Sequence, residues 1–284
     1  MADRVAGRVA ALQMVSGADW QQNLRSAADL IGQAAAGGAQ LLLLPENFAV
    51  FDSQQLLERG RPEQDPDGPI RTFLAQQARQ HGVWLVAGSL PILSADGRRV
   101  RAACLVYDDQ GQEVARYDKL HLFDVDVADA QAAYRESEQI EPGDALVVVD
   151  TPVGRLGLSI CYDLRFPQLY QQLANAGAEL ISVPAAFTQV TGEAHWELLL
   201  RARAIETQCY LIAANQGGVH NARRETFGHS MVVDPWGRVL NRHARGESVV
   251  VADTNLELVA EMRRKMPLLA HRRALGMLPT RDGG

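Results

Sequence analysis

A chain of 284 residues, 47% hydrophobic and 22% charged, has the make-up of an ordinary folded protein with ample apolar material for a core. Its net charge of −6 gives no footing on nucleic acid or an anionic membrane surface, and no apolar run approaches the length of a membrane span. Cys104, Cys161 and Cys209 are too few and too scattered for a disulfide framework or a zinc site, and residues 1–8 carry charges where a signal peptide needs an apolar core, so a reducing, cytoplasmic setting is expected.

Residues 8–16 (RVAALQMVS) read as a first strand, and Asp19 then caps a helix rich in Ala and Leu that ends at Gly37-Gly38. Leu41 to Leu44 form a short strand apolar on both sides, as a sheet covered on both faces requires, and Pro45-Glu46-Asn47 stops it. A helix fits 68–81, ended by Gly82, and a strand follows at 83–90. Residues 99–107 and 112–118 pair across Asp108-Asp109-Gln110-Gly111, while 124–143 is acidic and irregular and reads as a surface loop. Strands at 145–151 and 154–160 flank Thr151-Pro152-Val153-Gly154, and a helix at 167–176 with a strand at 179–183 repeats the β–α–β rhythm. A helix over 193–207 leads into the strand 209–215. Three more strands fit 228–234, 237–242 and 247–253, a last helix fits 255–265, and 276–284 reads as a tail.

Helices alternate with strands through both halves, with no linker or repeat between them. One α/β domain over 1–284 is therefore expected, its core at about 8–273, with mixed sheets covered outside by helices and inside by another layer. No GxGxxG follows a strand, which leaves a dinucleotide-binding oxidoreductase without its phosphate-binding turn.

Cys161 closes the apolar run Gly157-Leu158-Ser159-Ile160 and is followed by Tyr162-Asp163 and by Pro167, which suits a helix start. A thiol at such a strand-to-helix corner would face unpaired N–H groups and the positive end of a helix, which favour thiolate. A buried core cysteine is the plain alternative. A cysteine nucleophile also needs a base and a means of holding an oxyanion. Glu46 stands at a strand end, where α/β folds gather ligands, although a solvated turn carboxylate is the commoner fate. Lys119 lies between apolar residues in Tyr117-Asp118-Lys119-Leu120-His121, so burial with an anionic partner competes with a snorkelling surface lysine. Cys104 and Cys209 sit within apolar strands and read as core. Arg203 and Glu206 have the i, i+3 spacing of an ion pair, and His220, His229 and His243 show no metal spacing.

The segments LLLLPENF around Glu46, YDKLHLFD around Lys119 and LSICYDLRFP around Cys161 occur in that order, each at a predicted strand end. Together they resemble the nitrilase superfamily of carbon–nitrogen hydrolases. TGEAHWELLLRARAIETQCY at 191–210 and FGHSMVVDPWG at 227–237 are similar to its amidase branch, which holds the deaminated glutathione amidases and omega-amidases. The resemblance implies a four-layer α-β-β-α sandwich whose copies pair into a homodimer or larger assembly. It implies Glu46 as general base, Lys119 as oxyanion stabiliser and Cys161 as nucleophile, with the backbone N–H of Tyr162 as a second oxyanion donor. A second glutamate is implied as well. Alignment on Pro142-Gly143 gives Glu136, with Glu138 and Glu141 close by. Arg165 becomes a candidate for a substrate carboxylate, or for a neighbouring loop or partner copy. Phe187 and Thr188 are candidates for the pocket wall. His195, with Trp196 just before the 193–207 helix body, is a candidate to face the substrate, against a structural histidine at a helix start.

The resemblance thus implies a cysteine-dependent amidase that needs no metal or organic cofactor, with a small amide and water as its partners. The expected reaction cleaves the terminal amide of a small 2-oxo acid amide, deaminated glutathione first, releasing ammonia and then, through a thioester, the free acid. Its role would be metabolite repair. The same residues would serve 2-oxoglutaramate, an aliphatic amide, an N-carbamoyl amine or a nitrile, whereas a non-catalytic scaffold would have no use for the complete set.

Overall fold

Residues 6–273 are described by the computed structural model, and the tail expected at 276–284 lies outside them. The first half runs β1 (Ala6–Gln13), α1 (Trp20–Ala36), β2 (Leu41–Leu43), α2 (Leu56–Gly60), α3 (Pro69–His81), β3 (Trp84–Val86), β4 (Leu90–Leu93), β5 (Val100–Tyr107) and β6 (Glu113–Asp118). A small hairpin of β7 (Asp124–Asp126) and β8 (Ala133–Arg135) follows. The second half runs β9 (Val148–Thr151), β10 (Gly154–Leu158), α4 (Pro167–Asn175), β11 (Leu180–Ala185), α5 (Gln189–Thr207) and β12 (Tyr210–Asn215). It closes with β13 (Ser230–Val233), β14 (Val239–His243), β15 (Ser248–Asn255), α6 (Leu256–Lys265) and α7 (Leu268–His271).

One sheet has the order β15-β1-β2-β3-β5-β4, with β6 added on β5, and the other has the order β14-β13-β12-β11-β10-β9. Both are mixed. β1, β2 and β3 are parallel, as are β10, β11 and β12, and the flanking strands are antiparallel.

Side-chain alternation sets the layers. Val9, Ala11, Leu41 and Leu43 face the core shared with the second sheet, whereas Ala10, Leu12, Leu42 and Leu44 pack with α1 and α3. This is why Leu41 to Leu44 can all be apolar, and burying each contributes about 1.5–3 kcal/mol. On the second sheet α4 and α5 bury Leu169, Tyr170, Leu173, Trp196, Leu200 and Ala204. The outcome is a helix–sheet–sheet–helix sandwich with no closed barrel.

Local signals hold where they are strong. The Asp19 carboxylate accepts from the N–H groups of Gln21 and Gln22, and α3 ends on Gly82 at φ 60°. The segment expected as one strand at 83–90 is broken into β3 and β4 at Gly88. There φ is +60°, and a Cβ would lie 2.0 Å from the Pro45 carbonyl oxygen. α5 starts at Gln189, earlier than expected, because the Thr188 hydroxyl caps it by accepting from Thr191 N–H. His195 therefore lies inside the helix and not at its start.

The largest correction concerns 124–143, which is more than a surface loop. After the β7–β8 hairpin, a short 3₁₀ turn at Glu136–Glu138 is anchored by Val100 N–H to Gln139 O and Glu141 N–H to Val100 O. Gly143 N–H then donates to Lys119 O at 2.8 Å, so close that a Cβ at Gly143 would lie 2.2 Å from Asp118 O. These backbone bonds carry Glu136 to Lys119.

Candidate active site

The chemistry-bearing residues gather where strands end: Glu46 just past β2, Lys119 directly after β6, Cys161 after β10 and Ala186 to Thr188 after β11. Lys119 Nζ lies 2.8 Å from Glu46 Oε1, 2.8 Å from Glu136 Oε1 and 2.9 Å from Glu136 Oε2. The lysine is 1% exposed, and these three acceptors match its three donors. Glu136 Oε2 also accepts from Phe123 N–H at 2.6 Å. Of the neighbouring carboxylates, Glu138 lies on the cavity wall and Glu141 is taken by Arg101.

Burial acts most strongly against the charge on Lys119, yet the charges of Glu136 and Glu46 outweigh it and hold the ammonium well above its ordinary range. Burial likewise lifts the Glu136 carboxyl, with Lys119 opposing and Glu46 adding to the rise.

Cys161 has φ 46° and is 8% exposed. It opens a 3₁₀ turn of five residues, Cys161–Arg165. Burial first, then the charge of Glu46, pushes its thiol well up, against the pull of Lys119 and of Ala186 N–H. The corner was expected to favour thiolate. A single short turn offers little dipole, and desolvation beside a carboxylate prevails.

A second set of contacts fixes the geometry. Asp163, fully buried, accepts from Tyr117 OH (2.6 Å) and Ile160 N–H (2.9 Å) on Oδ2, and from His121 N–H (3.1 Å) on Oδ1, with His121 Nδ1 at 2.7 Å. Tyr117 and His121 stand two residues either side of Lys119, so one carboxylate joins the Lys119 segment to the Cys161 corner. Arg203 pairs with Glu206 at 2.9 Å and donates Nε to Leu164 O at 2.9 Å, which braces the turn from α5. Gln216 Nε2 reaches Glu46 O at 3.1 Å from the second sheet.

A cavity of about 470 Å³ reaches Glu46, Lys119, Glu136 and Cys161. Tyr162, Arg165, Phe187 and Thr188 are on its walls, and so are Phe51, Tyr134 and Arg224, which sequence reasoning did not single out. His195 is not on its walls. Its Nδ1 lies 3.2 Å from Arg165 Nη1, so it touches the cavity wall through the arginine. The Tyr117–Lys119–His121 and Cys161–Asp163 spacings were a usable signal for the bracing contacts. Nothing local marks Arg224, which arrives on an irregular segment between β12 and β13.

Among the described residues no group of three or more His, Cys, Asp or Glu side chains is arranged to hold a metal ion, and no helix is long and apolar enough to cross a membrane.

Comparison with known proteins matches residues 8–264 to the carbon-nitrogen hydrolase family. The deaminated glutathione amidase of Yersinia enterocolitica is 46% identical over 274 residues, covering 96% of this chain and 95% of its own. The crystal structure of the C. elegans NitFhit protein gives a TM-score of 0.88 at 39% identity, over 96% of this chain and 66% of that one. A mutant of the amidase from Nesterenkonia sp. AN1, which shows the result of Michael addition of acrylamide at its active site cysteine, gives a TM-score of 0.77 at 28% identity, over 92% of this chain and 98% of that one. With a family match over most of its length and a relative at 46% identity, the chain belongs to the carbon-nitrogen hydrolase family.

Proposed function

We propose that this amidase of the carbon-nitrogen hydrolase family splits the amide that joins a small 2-oxo acid to an amine, with deaminated glutathione preferred, through a thioester on Cys161. One observation carries the chemistry: a buried ammonium held between two carboxylates stands beside a buried thiol on a cavity. The substrate reading rests on the relatives' activity.

Glu46 takes the thiol proton as sulfur attacks the carbonyl carbon. The oxyanion is held by the Lys119 ammonium and Tyr162 N–H, and one preorganised donor of this kind is worth about 2.7–4 kcal/mol in other enzymes. The adduct collapses as the C–N bond breaks and Glu46 returns the proton to nitrogen, leaving the thioester. Glu46 next takes a proton from water, which attacks the thioester. The C–S bond breaks, the sulfur recovers its proton and the acid departs. Glu136 commits both oxygens to Lys119 and one also to Phe123 N–H, so its part is to aim the ammonium.

Deaminated glutathione has an oxo group where glutathione carries its glutamyl amine, and its scissile amide joins the oxo acid to cysteinylglycine. The leaving group is then a dipeptide amine. This corrects the terminal amide and the ammonia expected from sequence, which belong to 2-oxoglutaramate. Arg165 stacks over Tyr162 and Phe187 and makes no ion pair among the described residues, which suits it to the 2-oxo acid carboxylate.

The family match over 8–264 supports one catalytic domain. Val190, Leu198 and Ile205 on α5 are 43%, 70% and 44% exposed, and exposed apolar side chains on one helix support pairing of two copies. All three cysteines are free, which supports a reducing, cytoplasmic setting. A role in metabolite repair rests on the substrate reading alone.

The test measures release of acid and amine from deaminated glutathione, 2-oxoglutaramate and a plain aliphatic amide, beside Cys161→Ala. Preference for the first, lost in the variant, is the expected result. A rate no higher than on the aliphatic amide would remove the substrate reading, and dominance of 2-oxoglutaramate would shift it to omega-amidase activity. A pH profile adds an independent check. Carboxylates act here as anions, and burial raises Glu136, so kcat/KM should fall on acidification at a pH above the ordinary Glu value of about 4.3. An acid limb at or below that value would contradict the buried pair.

A further inference from the structure

Aromatic rings and two guanidinium groups close a circuit around the thiol. Arg165 lies over Tyr162 at 5.9 Å and Phe187 at 5.2 Å. Tyr162 meets Phe123 edge-on at 5.0 Å, and Phe123 meets Tyr134 at 5.1 Å. Arg224 lies over Tyr134 at 4.8 Å and Phe51 at 5.7 Å, and donates Nη2 to Ala186 O at 2.8 Å, one residue before Phe187.

Arg224 is a cation on a cavity wall without a counter-charge among the described residues. Nη1 donates to Tyr134 OH at 2.6 Å, and that hydroxyl in turn donates to Asp129 Oδ2 at 2.7 Å. Two of its five N–H groups are so used. No carboxylate among the described residues lies within ion-pair distance of it, and the adjacent Glu225 is taken by Arg245. An arginine within reach of two aromatic rings, with N–H groups to spare, is preorganised for an anion.

The two arginines stand on different segments of the cavity wall. In the proposed reaction Glu46 returns its proton to the leaving nitrogen, which sets the amine side of the amide toward Glu46 and the segment that follows it. Phe51 belongs to that segment and carries Arg224 on its face. Arg165 belongs to the turn that opens at Cys161, on the side where the acyl carbon joins sulfur.

We propose that Arg224 binds an anionic group on the amine side of the scissile amide, such as the C-terminal carboxylate of a short peptide leaving group. The cavity is then built for substrates charged at both ends. The inference rests on the proposed acyl transfer at Cys161 and deepens its substrate class.

Deaminated glutathione and its C-terminal glycinamide differ only in the carboxylate at issue. In the unmodified protein kcat/KM for the acid should exceed that for the amide about tenfold to a hundredfold, the worth of one charge-assisted hydrogen bond, mainly through KM. Arg224→Gln should bring the ratio near one, Arg224→Lys should restore part of it, and Arg165→Gln should lower both rates while keeping it. Because Arg224 also ties Tyr134 to Ala186, a merely structural role would depress both substrates together and leave the ratio intact. A ratio near one in the unmodified protein overturns the proposal without any variant, as does a ratio that survives Arg224→Gln. Failure of the unmodified protein to hydrolyse either compound would overturn the substrate reading beneath it, and this proposal with it.

Discussion

Cys161→Ala is expected to abolish turnover while the protein stays folded. The other two thiols cannot substitute, since Cys104 and Cys209 are fully buried in the core. Removal of a nucleophile of this kind costs on the order of 10⁶ in kcat in a well-studied hydrolase. The stability cost should be small. Alanine tolerates the corner's backbone no worse than cysteine does, and the exchange removes one sulfur that sits beside an anion. Cys161→Ser keeps the shape but offers Glu46 a hydroxyl far harder to ionise, so its activity should also collapse. Circular dichroism with a progress curve reads both quantities. Measurable turnover from a folded alanine variant would take the nucleophile assignment away from Cys161.

Lys119→Ala carries the second large effect, in rate and in stability together. Losing a direct oxyanion donor should cost about 10²–10³ in kcat. Losing the cation between the buried Glu46 and the partly buried Glu136 should cost about 3–5 kcal/mol of stability. The two losses can be separated by pH. Without Lys119 the Glu136 carboxyl loses the charge that opposes its burial, so its folded pKa stays raised above the unfolded one. Its protonation then favours the folded state, and stability falls as pH rises through the raised value. The melting deficit of the variant should therefore shrink on acidification, while its kcat deficit should not. Glu136→Ala should cost less in kcat, because Glu46 still holds Lys119 at 2.8 Å. The opposite order would make Glu136 the more direct participant.

How much of this was legible in the sequence depends on how local the cause was. Leu41 to Leu44 announced a strand covered on both faces, and the chain after it had to end in a turn bearing Glu46. Lys119 was marked by the apolar residues on either side of it, while Cys161 followed the same logic of an apolar strand end. Glu136 did not, because its position depends on backbone bonds from Gln139 and Glu141 to Val100 and from Gly143 to Lys119, which no pattern within 124–143 encodes. Phe51 and Arg224 were invisible for the same reason. The upward push on the thiol was not legible, because a corner motif describes the chain's own dipole, whereas burial and the approach of Glu46 come from distant segments.

The backbone at Cys161, with φ 46°, is one that glycine or asparagine adopts readily and that costs other residues about 1–2 kcal/mol. Glycine there would relieve that cost, at the loss of a side chain that packs in the core shared by the two sheets and reaches the cavity. The fold thus gives up stability at one backbone position to hold a thiol on the cavity wall.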